Sequence, residues 1–209
     1  MKYFIDTEFI EGFKKPIKWL PTIGNFNKPY HFIQLISIGI ICEDGREYYA
    51  ISNEYNYHDA SEWVKSNVIA PIYRNQISAF KQQFMDISTF HRYIPSSKSN
   101  SQIANDAILF CGGYVGEVNS TFRALPEFYA YFADYDWVVF CSLFGTMMDL
   151  PKWFPMYCRD LKQMLDDTQE EVDFQLKEHP NYPKNSNEHN AIDDARWNFK
   201  LYNFLKTCK

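Results

Sequence analysis

Apolar and β-favouring residues open the chain, and Tyr3-Phe4-Ile5 predicts a strand over residues 2–6 that delivers two acids, Asp6 and Glu8. A second run, Phe32 to Cys42, is strongly β-like. Asp44-Gly45 is a hairpin signal, and Arg46 to Ser52 alternates as the returning strand. Three strands in antiparallel succession therefore begin the fold. Between the first two lies an irregular insertion, 11–31, where Pro16, Pro21, Gly24, Asn25 and Pro29 are mixed with aromatic residues.

Helical spacing appears next. Trp63, Val64, Val68 and Ile69 predict a helix from Ala60 to Ala70, closed by Pro71. Residues 73–111 are the least regular part: Phe80, Phe84 and Ile87 suit one or two amphipathic turns, Pro95 to Asn100 a flexible join, and Gln102 to Cys111 a short helix. Gly112-Gly113-Tyr114-Val115-Gly116 lacks the Gly-Lys-Ser/Thr of a phosphate loop and reads as a turn. Glu127 to Ala133 predicts a fourth strand, followed by an apolar helix ending by Gly145, with Asp134 and Asp136 at the junction. A carboxylate there sits at the carboxyl end of a strand, where α/β folds place their sites. Met156 to Arg159 predicts a fifth strand, Asp160 to Leu165 a helix, and Asp166 to Glu178 a charged helical face turned to solvent. Ile192, Ala195, Phe199 and Tyr202 then mark a last helix starting near Ala191, with Asn190 or His189 at its mouth. The order of elements is α/β or α+β in a single domain, 1–209.

Composition narrows the class. Hydrophobic residues at 46% and aromatics at 18% exclude a disordered chain, and no apolar run is long enough to span a bilayer. A net charge of −5 is not the footprint of a protein gripping duplex DNA through many phosphates. It does not exclude a site that makes few phosphate contacts, where bound divalent ions would reverse the local sign. Five cysteines without a Cys-x-x-Cys pair read as free thiols in a reducing cytoplasm.

The candidate chemistry sits at the two ends. Residues 6 and 8 of one strand share a face, so two carboxylates stand side by side, an arrangement that needs a proton or a cation between them. A hard dication such as Mg²⁺ or Mn²⁺ suits oxygen donors. Alone, Asp-x-Glu is as readily a solvated strand end. At the other end, His189 precedes the last helix by a loop and Asp194 projects from its first turn. Isolated, such a histidine caps a helix or faces water. Asp193 competes with Asp194 but points about 100° away around the helix. In the insertion, Lys14, Lys15 and Lys18 lie near Phe13 and Trp19, which suits either phosphate and base contacts or an ordered surface loop.

Taken together, Phe4-Ile5-Asp6-Thr7-Glu8-Phe9-Ile10-Glu11, Leu35-Ile36-Ser37-Ile38-Gly39, Asp44 to Ala50, a mid-chain aspartate, and His189 followed five positions on by Asp194 resemble the DEDDh class of 3′-to-5′ exonucleases. The resemblance is closest to the RNase AS, RNase T and oligoribonuclease branch. It implies an RNase H-like fold, a mixed five-stranded sheet flanked by helices. It implies two Mg²⁺ or Mn²⁺ ions: Asp6 bridging both, Glu8 and Asp194 completing the ion on the water side, and Asp136 helping to hold the second, with Asp134 as the alternative. His189 would take the proton of the attacking water. Thr7 and Phe9 flank the acids and are the candidate substrate contacts, Phe9 suiting the terminal base or sugar or, equally, the core. The implied substrate is the 3′ end of single-stranded RNA, with an adenylate preference left open, and the implied assembly is a homodimer. The alternatives are a proofreading-type DNA exonuclease, a silent nucleic-acid-binding module, and a phosphatase using Asp6 as nucleophile. The last would usually want Asp two residues on and has no use for His189.

Overall fold

The computed structural model describes residues 1–74, 97–112, 125–185 and 187–208. The expectations for Phe80, Phe84, Ile87 and the Gly113–Gly116 turn fall outside these residues. The described residues form a mixed sheet flanked by helices, with six strands and not five: β1 (Lys2–Lys14), β2 (Tyr30–Cys42), β3 (Glu47–Ser52), β4 (Ser97–Lys98), β5 (Glu127–Ala130) and β6 (Arg159–Asp160), in the order β4-β3-β2-β1-β5-β6. β1, β2 and β3 are antiparallel neighbours, while β4, β5 and β6 join parallel to theirs. The architecture is α/β and consistent with an RNase H-like fold.

The first strand is more than twice as long as its apolar pattern predicts. β1 runs to Lys14 because β2 offers a continuous partner, out to Phe13 against His31 and Lys14 against Tyr30. A paired backbone keeps polar residues extended, so most of the insertion's two ends is hairpin and only 15–29 is loop. One bulge interrupts the ladder. Ser37 faces Glu8 and Leu35 faces Phe9, leaving Ile36 as an extra residue on β2. The slip lets Leu35 and Ile38 point into one core, with Tyr3 and Ile5, while Ile36 joins Ile10 and Ile51 in another.

The helices cover both faces. α1 (Glu62–Val64) opens a helical stretch that passes through a π turn, Lys65–Ile69, and continues to residue 74, so Pro71 does not end it. Its Val68, Ile69 and Tyr73 pack on Ile10, Ile36 and Ile51. α2 (Asn100–Phe110) starts at a capping box, Ser99 with Gln102, and follows β4, so the described part of the expected flexible join, Ser97 to Asn100, is an edge strand and a helix start, while Pro95 and Ser96 fall outside the described residues. α2 and α3 (Ala133–Ser142) cover Tyr3, Ile5, Ile38 and Ile40. α4 (Leu161–Glu170) and α5 (Ala191–Thr207) bury Phe4 and Ile41 on the other face. The charged segment after Asp166 is thus helical only to Glu170, with a 3₁₀ turn at Leu176–Glu178. No described helix is long and apolar enough to cross a membrane, and all five cysteines are free.

Gly39 decides how closely α5 can approach. It pairs with Asp6, and a Cβ at Gly39 would lie 2.2 Å from the Ala191 carbonyl oxygen and 2.6 Å from the Ile192 Cα. These are backbone atoms and cannot swing aside. Gly39→Ala is therefore expected to push the start of α5 away from β1, destabilising the fold by about 1–3 kcal/mol and separating Asp194 from Asp6. Thermal melting and activity measured together check this, and an alanine variant matching wild type in both would contradict it.

Candidate active site

Three elements meet above the middle of β1. The strand alternation puts Asp6 and Glu8 on the face toward α5, opposite Ile5 and Thr7. Asp194 enters from the first turn of α5, where Asn190 is the residue before the helix and its carbonyl accepts from the Asp194 amide at 2.9 Å. Donor oxygens of Asp6, Glu8 and Asp194 all lie within 4.8 Å of one another. Asp136 comes from the first turn of α3 and not from a strand end, because β5 stops at Ala130 and Phe132 turns the chain with a left-handed φ of 57°. It is buried, and one of its oxygens accepts from the Thr7 amide at 2.8 Å and the Thr7 hydroxyl at 2.7 Å.

All five of the expected polar side chains, Asp6, Glu8, Asp136, His189 and Asp194, line one cavity of about 610 Å³. Asp134 does not; it borders a separate hollow with Glu11 and Tyr135. Asp193 turns away toward Arg196 and Asn187, and Arg196 in turn pairs with Glu47 on β3. Thr7 lines the cavity but is buried with its hydroxyl committed to Asp136, so it orients that acid. Phe9 stacks on Tyr135 with ring centroids 5.6 Å apart and planes 7° from parallel, forming part of an aromatic wall with Tyr131, Phe132 and Trp197.

Electrostatics reports how crowded the acids are. Burial, then the charges of Asp136, Asp194 and Glu8, holds the Asp6 carboxyl well above the ordinary carboxylate range. Burial and the charges of Asp194 and Asp136 push Glu8 up to about 8. Asp136 is pushed up to about 7, burial outweighing the two hydrogen bonds from Thr7. Burial also raises Asp194, against the opposing pull of Asn185 and the backbone N–H groups of His189 and Asn190. Among the described residues no lysine or arginine side chain lines the cavity. The Asp6, Glu8 and Asp194 oxygens fit a hard divalent cation in chemistry and in spacing, and Asp136 adds a fourth carboxylate to the same cavity.

His189 sits where the loop turns into α5, with φ at +65°, a conformation that side chains other than glycine adopt rarely. Its imidazole lies edge-on to Trp63, centroids 4.8 Å apart and planes at 84°. Trp63 belongs to α1 and is 54% exposed, a neighbour of the histidine and not part of the core. Other residues here were not legible as site residues. Asn185 hydrogen-bonds Asp194, and Glu188 and Trp197 line the cavity. Asn198 is buried on α5 and donates to the Ile5 carbonyl at 3.0 Å, fastening the helix to the acidic strand. An asparagine in the buried stripe Ala191, Ala195, Asn198, Leu201, Leu205 was the available signal for that last contact.

Fold and site together define an α/β enzyme that gathers four carboxylates and an imidazole at the meeting of its central strand with two helix starts. More particularly, the chain belongs to the family of the 3′-5′ exoribonuclease Rv2179c-like domain, which matches residues 22–205. It is 30% identical over 209 residues to the 3′-5′ exoribonuclease Rv2179c of Mycobacterium tuberculosis strain ATCC 25618 / H37Rv, covering 98% of this chain and 93% of the relative. The 3′-5′ exoribonuclease MT2234.1 of M. tuberculosis strain CDC 1551 / Oshkosh is similar to the same extent.

Proposed function

We propose that this protein is a DEDDh-type 3′-to-5′ exoribonuclease that removes nucleoside 5′-monophosphates from the 3′ end of single-stranded RNA with the help of two divalent cations. The observation that carries the reading is the convergence of Asp6, Glu8 and Asp194 donors within 4.8 Å, with Asp136 and His189 in the same cavity. Divalent ions held by these acids would neutralise phosphate charge and favour ionisation of the attacking water. The protein's own groups do the rest. Asp6 feels the charges of Asp136, Asp194 and Glu8 alike, so it would be the acid shared between two cations. Thr7 fixes one oxygen of Asp136 and leaves the other available. His189 lines the same cavity without belonging to the cluster of Asp6, Glu8 and Asp194, and it accepts the proton of the attacking water as general base. The wall of Phe9, Tyr131, Tyr135 and Trp197 offers ring faces to the terminal nucleoside.

The test is incubation with Mg²⁺ or Mn²⁺ and RNA or DNA homopolymers labelled at either end. Stepwise shortening from the 3′ end, release of 5′-monophosphates, and arrest by EDTA are expected, with RNA consumed faster than DNA. Equal or faster loss of DNA would favour the proofreading-type alternative, and cleavage that survives EDTA would remove the two-metal reading. Comparing the four RNA homopolymers measures adenylate preference in the same experiment.

A further inference from the structure

The hairpin β1–β2 continues well past the cavity, and its far end carries a surface with an unusual composition. From residue 12 through residue 42 there is no aspartate or glutamate, in a chain whose net charge is −5, while Lys14, Lys15, Lys18 and Lys28 fall within 13–31. Lys14 pairs with Asp59; Lys15, Lys18 and Lys28 form no ion pair with any described residue. Among them Trp19 is 83% and Phe13 74% exposed, and Phe26 and Tyr30 are also more than half exposed.

The arm is nevertheless built, not slack. Asn27 is its buried polar residue. It accepts from the Ile17 amide at 2.7 Å and donates to the Ile17 and Leu20 carbonyls at 2.9 and 2.5 Å. Ile23 and Phe26 exchange backbone hydrogen bonds of 3.1 and 2.9 Å around Gly24. A loop so fastened could have folded its rings inward. They face water, in a segment whose Lys15, Lys18 and Lys28 form no ion pair with any described residue.

A continuous path joins this arm to the cavity. Phe9, Glu11 and Phe13 alternate onto one face of β1. Phe9 stacks on Tyr135, Tyr135 donates to Glu11 at 3.3 Å, Glu11 contacts His31 at 2.7 Å, and His31 lies edge-on to Phe13 at 5.5 Å. A second hollow of about 390 Å³, bounded by Glu11, His31 and Tyr135, shares Tyr135 with the site. Phe13 is about 17 Å along the strand from Glu8, five residues at about 3.4 Å each.

We propose that residues 13–31 form the track for the body of the single-stranded RNA upstream of its 3′ end, with Trp19 and Phe13 stacking on bases and Lys15, Lys18 and Lys28 contacting phosphates. The inference rests on the RNase reading above. Charge complementarity favours this occupant. A polyanion matches a cationic, ring-bearing arm, whereas two such arms meeting in a dimer would repel.

The test uses a 5′-fluorescein 12-nucleotide single-stranded RNA bound to the Asp6→Asn protein, so that it is not consumed. Trp19→Ala is expected to weaken binding about tenfold, within the range for loss of one base stack. The triple variant Lys15→Gln, Lys18→Gln, Lys28→Gln keeps the rings and should flatten the plot of log Kd against log salt by about 2, three phosphate contacts' worth. In the active background both variants should lower kcat/KM for the 12-mer relative to a dinucleotide by about tenfold. Binding unchanged in both variants, or 12-mer and dinucleotide turnover falling together, overturns the assignment. So does a shift in sedimentation from dimer to monomer without a change in RNA affinity. If wild type cleaves no RNA yet the variants still lose binding, the nuclease reading fails and the track stands; cleavage with unaltered binding is the reverse.

Discussion

Asp6→Asn is expected to stay folded, to lose at least about three orders of magnitude in RNA hydrolysis, and to melt higher than wild type when both are metal-free. The loss follows from position, since Asp6 lies among Glu8, Asp136 and Asp194, and charge stabilisation by bound metal is worth several kcal/mol at about 1.36 kcal/mol per decade of rate. The rise in melting follows from the crowding of the acids. A carboxyl whose pKa is raised by folding binds its proton more tightly in the native state than in the unfolded one. Without metal, stability is therefore greatest below the unfolded carboxylate pKa, near 4, and declines as pH rises toward the folded value, which for Glu8 is about 8. An amide at position 6 neither ionises nor has to take up a proton on folding, so it escapes that cost at neutral pH. Adding Mn²⁺ should raise the melting temperature of wild type and leave that of Asp6→Asn nearly unchanged. Calorimetry showing equal Mn²⁺ affinity in the two proteins would refute the assignment.

His189→Ala separates proton transfer from metal holding. Single-turnover cleavage is expected to fall by roughly two to four orders of magnitude, the usual worth of a general base, with Mn²⁺ binding retained because the acid cluster Asp6, Glu8, Asp194 does not include the imidazole. The left-handed backbone at 189 is shared by both proteins, so melting should shift little. Cleavage within a few-fold of wild type would transfer the proton-accepting role elsewhere, and loss of Mn²⁺ affinity would make the histidine structural.

Much of this site is legible along the chain because its parts are local. Asp6 and Glu8 share a face by strand alternation alone, and His189 and Asp194 are separated by a helix start that the stripe of α5 announces. Only the resemblance separates Asp136 from Asp134 in the sequence, and the structure places Asp136 in the cavity with its oxygen held by Thr7. Its setting, one turn into α3, depended on Phe132 ending the approach early, and nothing in the aromatic run Phe128 to Phe132 marks that break.

What the chain determined by itself is the order of strands and helices and the residue types at the two ends, since period, turn residues and caps act over a few neighbours. What only the tertiary structure decided is distance. The length of β1 depends on a partner strand that begins 16 residues after β1 ends. The approach of α5 depends on Gly39 lacking a Cβ and on Asn198 reaching Ile5 across 193 positions of sequence. Trp63 meets His189 from 126 positions away along the chain. Such contacts are set by packing between remote segments, and no local pattern encodes them.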